Sequence, residues 1–324
     1  MLAASSPIAT RATRGLRLRL LGIDPREATF ARRGFHAGDP AARERLEGVG
    51  HAFLRGYHAA LAQAATPALA AALDGEAAEW RGFAYEGAAM ALALLDRLTP
   101  WGRGRLRRLL GGAGDAHAYM VHVGAGWALA RLRARLDRPP PGLDPLLGWL
   151  ALDGYGFHEG YFHPGATLRL HQVPRRLSGY ARRAFDQGVG RSLWFACGAD
   201  PARVAACALA FGPERAGDVW GGVGLACAYA GATDDAGRAA LLRAAGADRA
   251  WLAQGAAFAA QARERAGNPA PHTEAACLAF CGTGAAQAAR VTLRVLAAAR
   301  AAPGVPAYEA WRRGIREHFS RTDA

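Results

Sequence analysis

Apolar positions along this chain do not alternate with polar ones; they gather in Ala- and Leu-rich runs such as Ala88-Ala89-Met90-Ala91-Leu92-Ala93-Leu94-Leu95. Ala, Leu and Met are strong helix formers and β-branched stretches are scarce, so the runs predict helices. Each begins near a Gly-x-(Gly/Ala) step. Eight such marks stand at Gly48, Gly87, Gly124, Gly154, Gly188, Gly222, Gly255 and Gly282, at intervals of 27 to 39 residues and about 33 on average. Before the first Gly, five of the eight carry an acidic or amide residue (Glu47, Glu86, Asp153, Gln187, Gln254). A small pair after a polar residue predicts the start of a helix whose backbone lies close to a neighbour. Pro139, Pro140, Pro141, Pro174, Pro201, Pro213 and Pro303 fall between the runs, as connectors should.

The marks also pair across the chain. Gly48-Val49-Gly50-His51 resembles Gly188-Val189-Gly190-Arg191, and the four pairs are offset by 140, 135, 131 and 127 residues. This spacing predicts an all-α fold: a helical-repeat solenoid or closed α/α toroid from a tandem duplication of about four helical hairpins per half. The expected organisation is a basic N-terminal docking segment (1–35), a first half (36–175) and a second half (176–324), the halves forming one continuous domain.

With 324 residues and 51% hydrophobic composition, the chain is long and apolar enough to bury a sizeable core. It contains no Lys, so all 40 basic side chains are Arg, and chemistry that needs a lysine Schiff base or a P-loop lysine is excluded. The formal net charge of +13 brings no helix-turn-helix, RNP-like strand or zinc-finger spacing with it, so nucleic acid is not the expected partner. Cys197, Cys207, Cys227, Cys277 and Cys281 form no CxxC and are odd in number, which predicts small buried thiols in a reducing compartment. No secretory signal or membrane-spanning run is apparent, so the expected location is cytoplasmic. The Arg/Leu alternation of residues 11–33 adds a peripheral contact with the inner membrane.

Departures between the halves single out residues for chemistry. Asp153-Gly154-Tyr155-Gly156-Phe157-His158-Glu159-Gly160-Tyr161-Phe162-His163-Pro164 is rich in ionisable and aromatic groups, whereas its counterpart at Gly282–Ala289 is mostly small residues. Asp153, His158, Glu159 and the equivalent Glu86 are the candidate acid–base residues. Phe157, Tyr161, Phe162, Trp127, Trp194 and Arg191 are candidate substrate contacts. A metal would need ligands from two repeats, with His122 and His163 the candidates, and His51, Glu86, His122 and His158 would face one cavity if the glycine marks line an inner wall. No nucleotide or dinucleotide fingerprint, nucleophile elbow or Asp-rich cyclase motif occurs, so no cofactor is assigned. Arg169, Arg175, Arg176, Arg182, Arg183 and Arg191 make a basic segment suited to an anionic group or to a solvated surface.

Leu20-Leu21-Gly22-Ile23-Asp24, Tyr85-Glu86-Gly87-Ala88, His122-Val123-Gly124-Ala125-Gly126-Trp127, Asp153–His158 and Gly188-Val189-Gly190-Arg191-Ser192-Leu193-Trp194-Phe195 together resemble a bacterial family of unknown function. That family is known mainly from enediyne natural-product gene clusters, and the resemblance runs from about residue 16 to 300. It implies an accessory role after an iterative polyketide synthase releases a linear polyene, beside an integral membrane protein and a secreted-looking β-propeller-type protein. The function expected is binding and processing of a long apolar polyene in an internal helical cavity. A non-catalytic carrier or scaffold for a membrane-associated complex, and a terpenoid or polyene cyclase with a non-standard acid, are the alternatives.

Overall fold

A computed structural model describes residues 15–64, 66–99, 103–298 and 304–321. Residues 10–14 of the basic N-terminal run and Pro303 lie outside the described residues. Among those described, the regular elements are all helical, and Leu136 and Leu177 form an isolated β-bridge.

Nine helices carry the architecture: α1 (Pro40–Gln63), α2 (Ala78–Leu98), α3 (Ala118–Arg131), α4 (Leu150–Phe162), α5 (Ala181–Ala196), α6 (Pro213–Ala230), α7 (Arg249–Ala266), α8 (Ala285–Ala298) and α9 (Ala307–Ser320). From α1 to α8 each lies against the next, and α9 covers α7 and α8. Shorter helices, among them Pro201–Leu209, Asp235–Ala245 and Pro271–Cys281, back this series. Local sequence sets many of the starts. Asp39, Thr66, Asp200 and Asp234 each accept a hydrogen bond from the backbone N–H three residues on, and Pro40, Pro67 and Pro201 occupy first-turn positions where no N–H is needed.

The inner helices have no polar face. In α2 every residue from Gly82 to Leu95 is buried, which explains why its sequence reads as an unbroken apolar run instead of a stripe. By contrast α9 buries Tyr308, Glu309, Trp311, Arg312, Ile315 and Phe319, one face of the helix, and exposes residues such as Arg313 and Glu317 on the other.

The glycine marks expected at helix starts lie in helix middles instead. Gly87, Gly124, Gly154, Gly188, Gly222 and Gly255 sit where a helix crosses its predecessor, against the carbonyls of Phe53, Glu86, Val123, Asp153, Gln187 and Gly221. A Cβ on Gly188 would stand 1.8 Å from the Asp153 oxygen, so only hydrogen fits there. The second glycine of a mark does the same towards the following helix: a Cβ on Gly190 would stand 1.9 Å from the Val219 oxygen. Two marks differ. Gly48 meets only the Trp80 ring at 3.5 Å, and Gly282 is a left-handed cap after Pro271–Cys281.

The series bends back on itself. Arg263 Nη1, at the end of α7, donates to Glu79 O at the start of α2 (3.3 Å), and Asn268 Nδ2 donates to Ala78 O (3.0 Å). The N-terminal segment seals one side: Tyr57 Oη donates to Leu21 O at 2.7 Å, Ile23 N donates to His58 Nε2 at 3.2 Å, and Tyr161 Oη donates to Glu27 O at 3.2 Å.

Candidate functional site

Where the helices converge, a narrow cavity with about 50 Å³ of free volume opens between the N-terminal segment and the inner faces of α1 to α6. Helical spacing builds its walls: Phe53 from α1, Phe83 with Glu86 from α2, Phe157 with Tyr161 from α4, Arg191 with Phe195 from α5, and Leu225 with Tyr229 from α6. Trp127 of α3 sits among them, its ring centroid 4.6 Å from Phe53 and 4.9 Å from Phe157. Phe157 meets Phe195 edge-on at 5.2 Å, and Phe83 meets Tyr229 edge-on at 5.1 Å. The side of the cavity facing the chain's start is closed by Ile23, Glu27 and Ala28.

The apolar wall ends on a charged floor. Glu86, 3% exposed, accepts a hydrogen bond from Trp127 Nε1 at 2.9 Å. Arg191 Nη1 donates to Asp153 Oδ1 at 2.5 Å, while its Nη2 approaches Glu86 Oε1 only to 3.8 Å. The other Asp153 oxygen accepts from Gln187 Nε2 at 2.7 Å, and the same amide nitrogen lies 3.2 Å from the Tyr308 hydroxyl. Asp153, Gln187 and Arg191 are all buried. Burial pushes the Glu86 carboxyl up to about 7; Arg191 and the Trp127 hydrogen bond pull it down, and the Asp153 charge adds to the rise. Glu86 is thus an acid that gains and loses its proton near neutral pH inside an aromatic cavity.

Five of the six residues expected to contact substrate, Phe157, Tyr161, Phe162, Trp127 and Arg191, line this cavity. Trp194 does not: it is fully buried and its Nε1 donates to Gly231 O at 2.9 Å, where it braces α5 against the end of α6. The candidate acids divide as well. Glu86 lines the cavity, whereas Asp153 lies behind Arg191 and holds it in place. His158 and Glu159 form a separate pair, Nδ1 to Oε1 at 3.3 Å, outside the cavity lining. The His158 and Trp127 rings stand perpendicular, centroids 5.8 Å apart, and burial lowers the His158 pKa. Burial raises the Glu159 carboxyl, but the hydrogen bond from His158 and the charges of His158, His163 and Arg176 outweigh that, so it titrates below its usual range.

The histidines are not gathered. Both ring nitrogens of His122 meet backbone groups, Nδ1 at 2.7 Å from Ala118 O and Nε2 at 3.2 Å from Asp144 N; His163 is exposed at the end of α4. Of His51, Glu86, His122 and His158, only Glu86 lines the cavity. Among the described residues no three His, Cys, Asp or Glu side chains stand where they could hold a metal ion. Nor is the basic segment wholly a surface: Arg183 pairs with Asp218 at 2.9 Å, Arg176 with the Tyr155 hydroxyl, and Arg191 with Asp153.

Sequence reasoning passed over Phe53, Phe83, Phe195 and Tyr229. Their aromatic type and their position three to seven residues from a glycine mark were the available signals, because crossing points fix which way neighbouring side chains face.

Among the described residues no helix is long and apolar enough to cross a membrane. Neither the curated proteins nor the solved structures contain a match to this chain. The family model described as "Protein of unknown function (DUF1702)" matches residues 12–319, nearly the whole sequence, and the chain belongs to that family.

Proposed function

We propose that this protein binds the end of a long apolar chain in the aromatic cavity and processes it by proton transfer at Glu86. One observation carries the reading: Glu86, an acid that titrates near 7, lines a mainly aromatic and aliphatic cavity of about 50 Å³ whose other charged groups are Arg191 and Glu27. Free space of that size holds about four water-sized groups, which suits the tip of an unbranched chain and not a ring system. A flat conjugated polyene fits such a slot with little loss of conformational freedom, and the faces of Trp127 and Phe157 offer it contact area. The chemistry that proton transfer at Glu86 supplies is isomerisation or cyclisation, since neither changes the redox state of the chain.

The resemblance to proteins of enediyne gene clusters favours a polyene of polyketide origin as the chain and an integral membrane protein as the working partner. The ladder of glycine crossings, with the return of α7 to the start of α2, supports a tandem duplication closed into an α/α shell around the cavity. Trp127 provides the assay. A linear conjugated tetraene added to the protein is expected to quench Trp127 fluorescence, and the W127F variant to remove that part of the signal. Absorbance and mass of the recovered tetraene then divide the outcomes: an isomer at unchanged mass but altered spectrum after extraction means catalysis, and unaltered tetraene means a carrier. Absence of quenching rejects the cavity as the binding site.

A further inference from the structure

The floor of the cavity holds a donor without an acceptor. Arg191 is 5% exposed and faces the cavity, with its guanidinium 5.0 Å from the centre of the Phe157 ring. Nη1 is engaged by Asp153 at 2.5 Å, which matches the cation with one carboxylate. Nη2 reaches Glu86 Oε1 only at 3.8 Å, too long for a hydrogen bond, and Glu86 spends the same oxygen on Trp127. Nη2 thus faces the cavity with no hydrogen-bond acceptor among the described residues, so an oxygen that arrives through the cavity meets an open donor. That oxygen is uncharged: Asp153 already balances Arg191, and a second anion beside Asp153 and Glu86 would be repelled. Protonated Glu86 adds a second donor beside Arg191 in the lining of the same cavity, as its pKa of about 7 allows. Two fixed donors at the closed end of an apolar slot form the arrangement that polarises a carbonyl.

We propose that Arg191 and Glu86 together bind the carbonyl oxygen of a conjugated chain whose apolar remainder lies along the aromatic wall. The ligand class is therefore an enone-type polyene, a ketone, ester or thioester in conjugation with the chain, and not a plain hydrocarbon. This assignment rests on the reading of the cavity as a chain-binding site. Asp153 and Gln187 act as positioning residues, holding Nη1 so that Nη2 is aimed at the carbonyl.

The test compares a linear tetraenone with the tetraene hydrocarbon of equal length. A hydrogen bond to the ketone oxygen moves the polyene absorption to longer wavelength, a signature that loss of packing does not produce. The tetraenone is expected to bind on the order of tenfold more tightly than the hydrocarbon and to shift red when bound. E86Q, which keeps an N–H donor, retains the shift, and E86L reduces it. R191M strands Asp153, so R191M/D153N is the variant to use; it is expected to lose most of the preference for the ketone and most of the red shift, and R191M/D153N/E86L to bind both probes equally and to shift the ketone band no further than the hydrocarbon band. If wild-type protein binds both probes equally and the band does not move, the carbonyl assignment is overturned while chain binding stands. If the full shift persists in R191M/D153N, Arg191 is not a donor and the assignment is likewise overturned. If neither probe quenches Trp127, the chain-binding reading falls and this one with it.

Discussion

A carboxyl group moved from water into an apolar wall keeps its proton to higher pH, because burial penalises the anion more than the acid. For Glu86 this desolvation outweighs the Arg191 charge and the Trp127 hydrogen bond, and Asp153 pushes in the same direction as burial. The folded pKa of about 7 lies above the ordinary glutamate value of 4.5, so the folded state holds the proton more tightly than the unfolded one. Stability linked to this proton is full below about 4.5 and is lost as pH rises through about 7. The E86Q variant, which cannot ionise, is expected to escape that loss. Denaturant melts should show it gaining on wild type by about 3 kcal/mol between pH ~4 and pH ~8.5; parallel curves would mean that Glu86 is not desolvated. Arg191 and Asp153 invite a second measurement. Truncating one member of a buried pair strands the other, so R191M is expected to cost about 3 to 5 kcal/mol, and R191M/D153L to recover much of it. Additive losses in that double-mutant cycle would show that the two groups do not act as a pair.

Glycine marks that read alike in the sequence do different work in the helices. At Gly188 the neighbour is a carbonyl 1.8 Å from where a Cβ would be, so G188A must push α5 away from α4 and is expected to cost about 3 kcal/mol. At Gly48 the nearest atom is the Trp80 ring at 3.5 Å, so G48A meets ordinary contact and gains helix propensity, stabilising by up to about 1 kcal/mol. Opposite signs in thermal melts of these two variants are the expected result; equal signs would refute the crossing geometry. The same contrast shows how much was legible. Helices, connectors and the need for close backbone approach were readable because Ala-rich runs, prolines and glycines act locally. Their placement was not. A run such as Gly82–Leu95 is buried all round, so no stripe marks which side meets which neighbour, and mid-helix crossings look like helix starts. For the same reason Glu86 and Glu159 were equal candidates by composition, and only the azimuth set by the crossings at Gly87 and Gly156 turns one towards the cavity and the other away.

Contacts between chain-distant helices tie the start of the helical series to its end, and Arg263 makes two of them with one side chain. Its guanidinium is 1% exposed and donates from Nη2 to Tyr229 O at 2.7 Å and from Nη1 to Glu79 O and Asn268 O, each at 3.3 Å. Three carbonyls belonging to the end of α6, the start of α2 and the turn after α7 thereby share one side chain. Its charge also lies over the Tyr229 ring at 4.2 Å, and that ring is part of the cavity wall. Lysine keeps the charge but presents one compact ammonium in place of a planar fork, so it cannot reach all three oxygens together. R263K is therefore expected to leave at least one buried carbonyl unpaired and to lose about 1 to 3 kcal/mol of stability, with R263M losing more. Because the stitch and the wall meet at Tyr229, R263K should also loosen chain binding: the dissociation constant for the tetraene probe is expected to rise several-fold while R265K, at an exposed arginine paired only with Asp115, leaves it unchanged. Equal binding by R263K and wild type, with stability lowered in R263K alone, would show that the Arg263 contacts hold the helices together without setting the shape of the cavity.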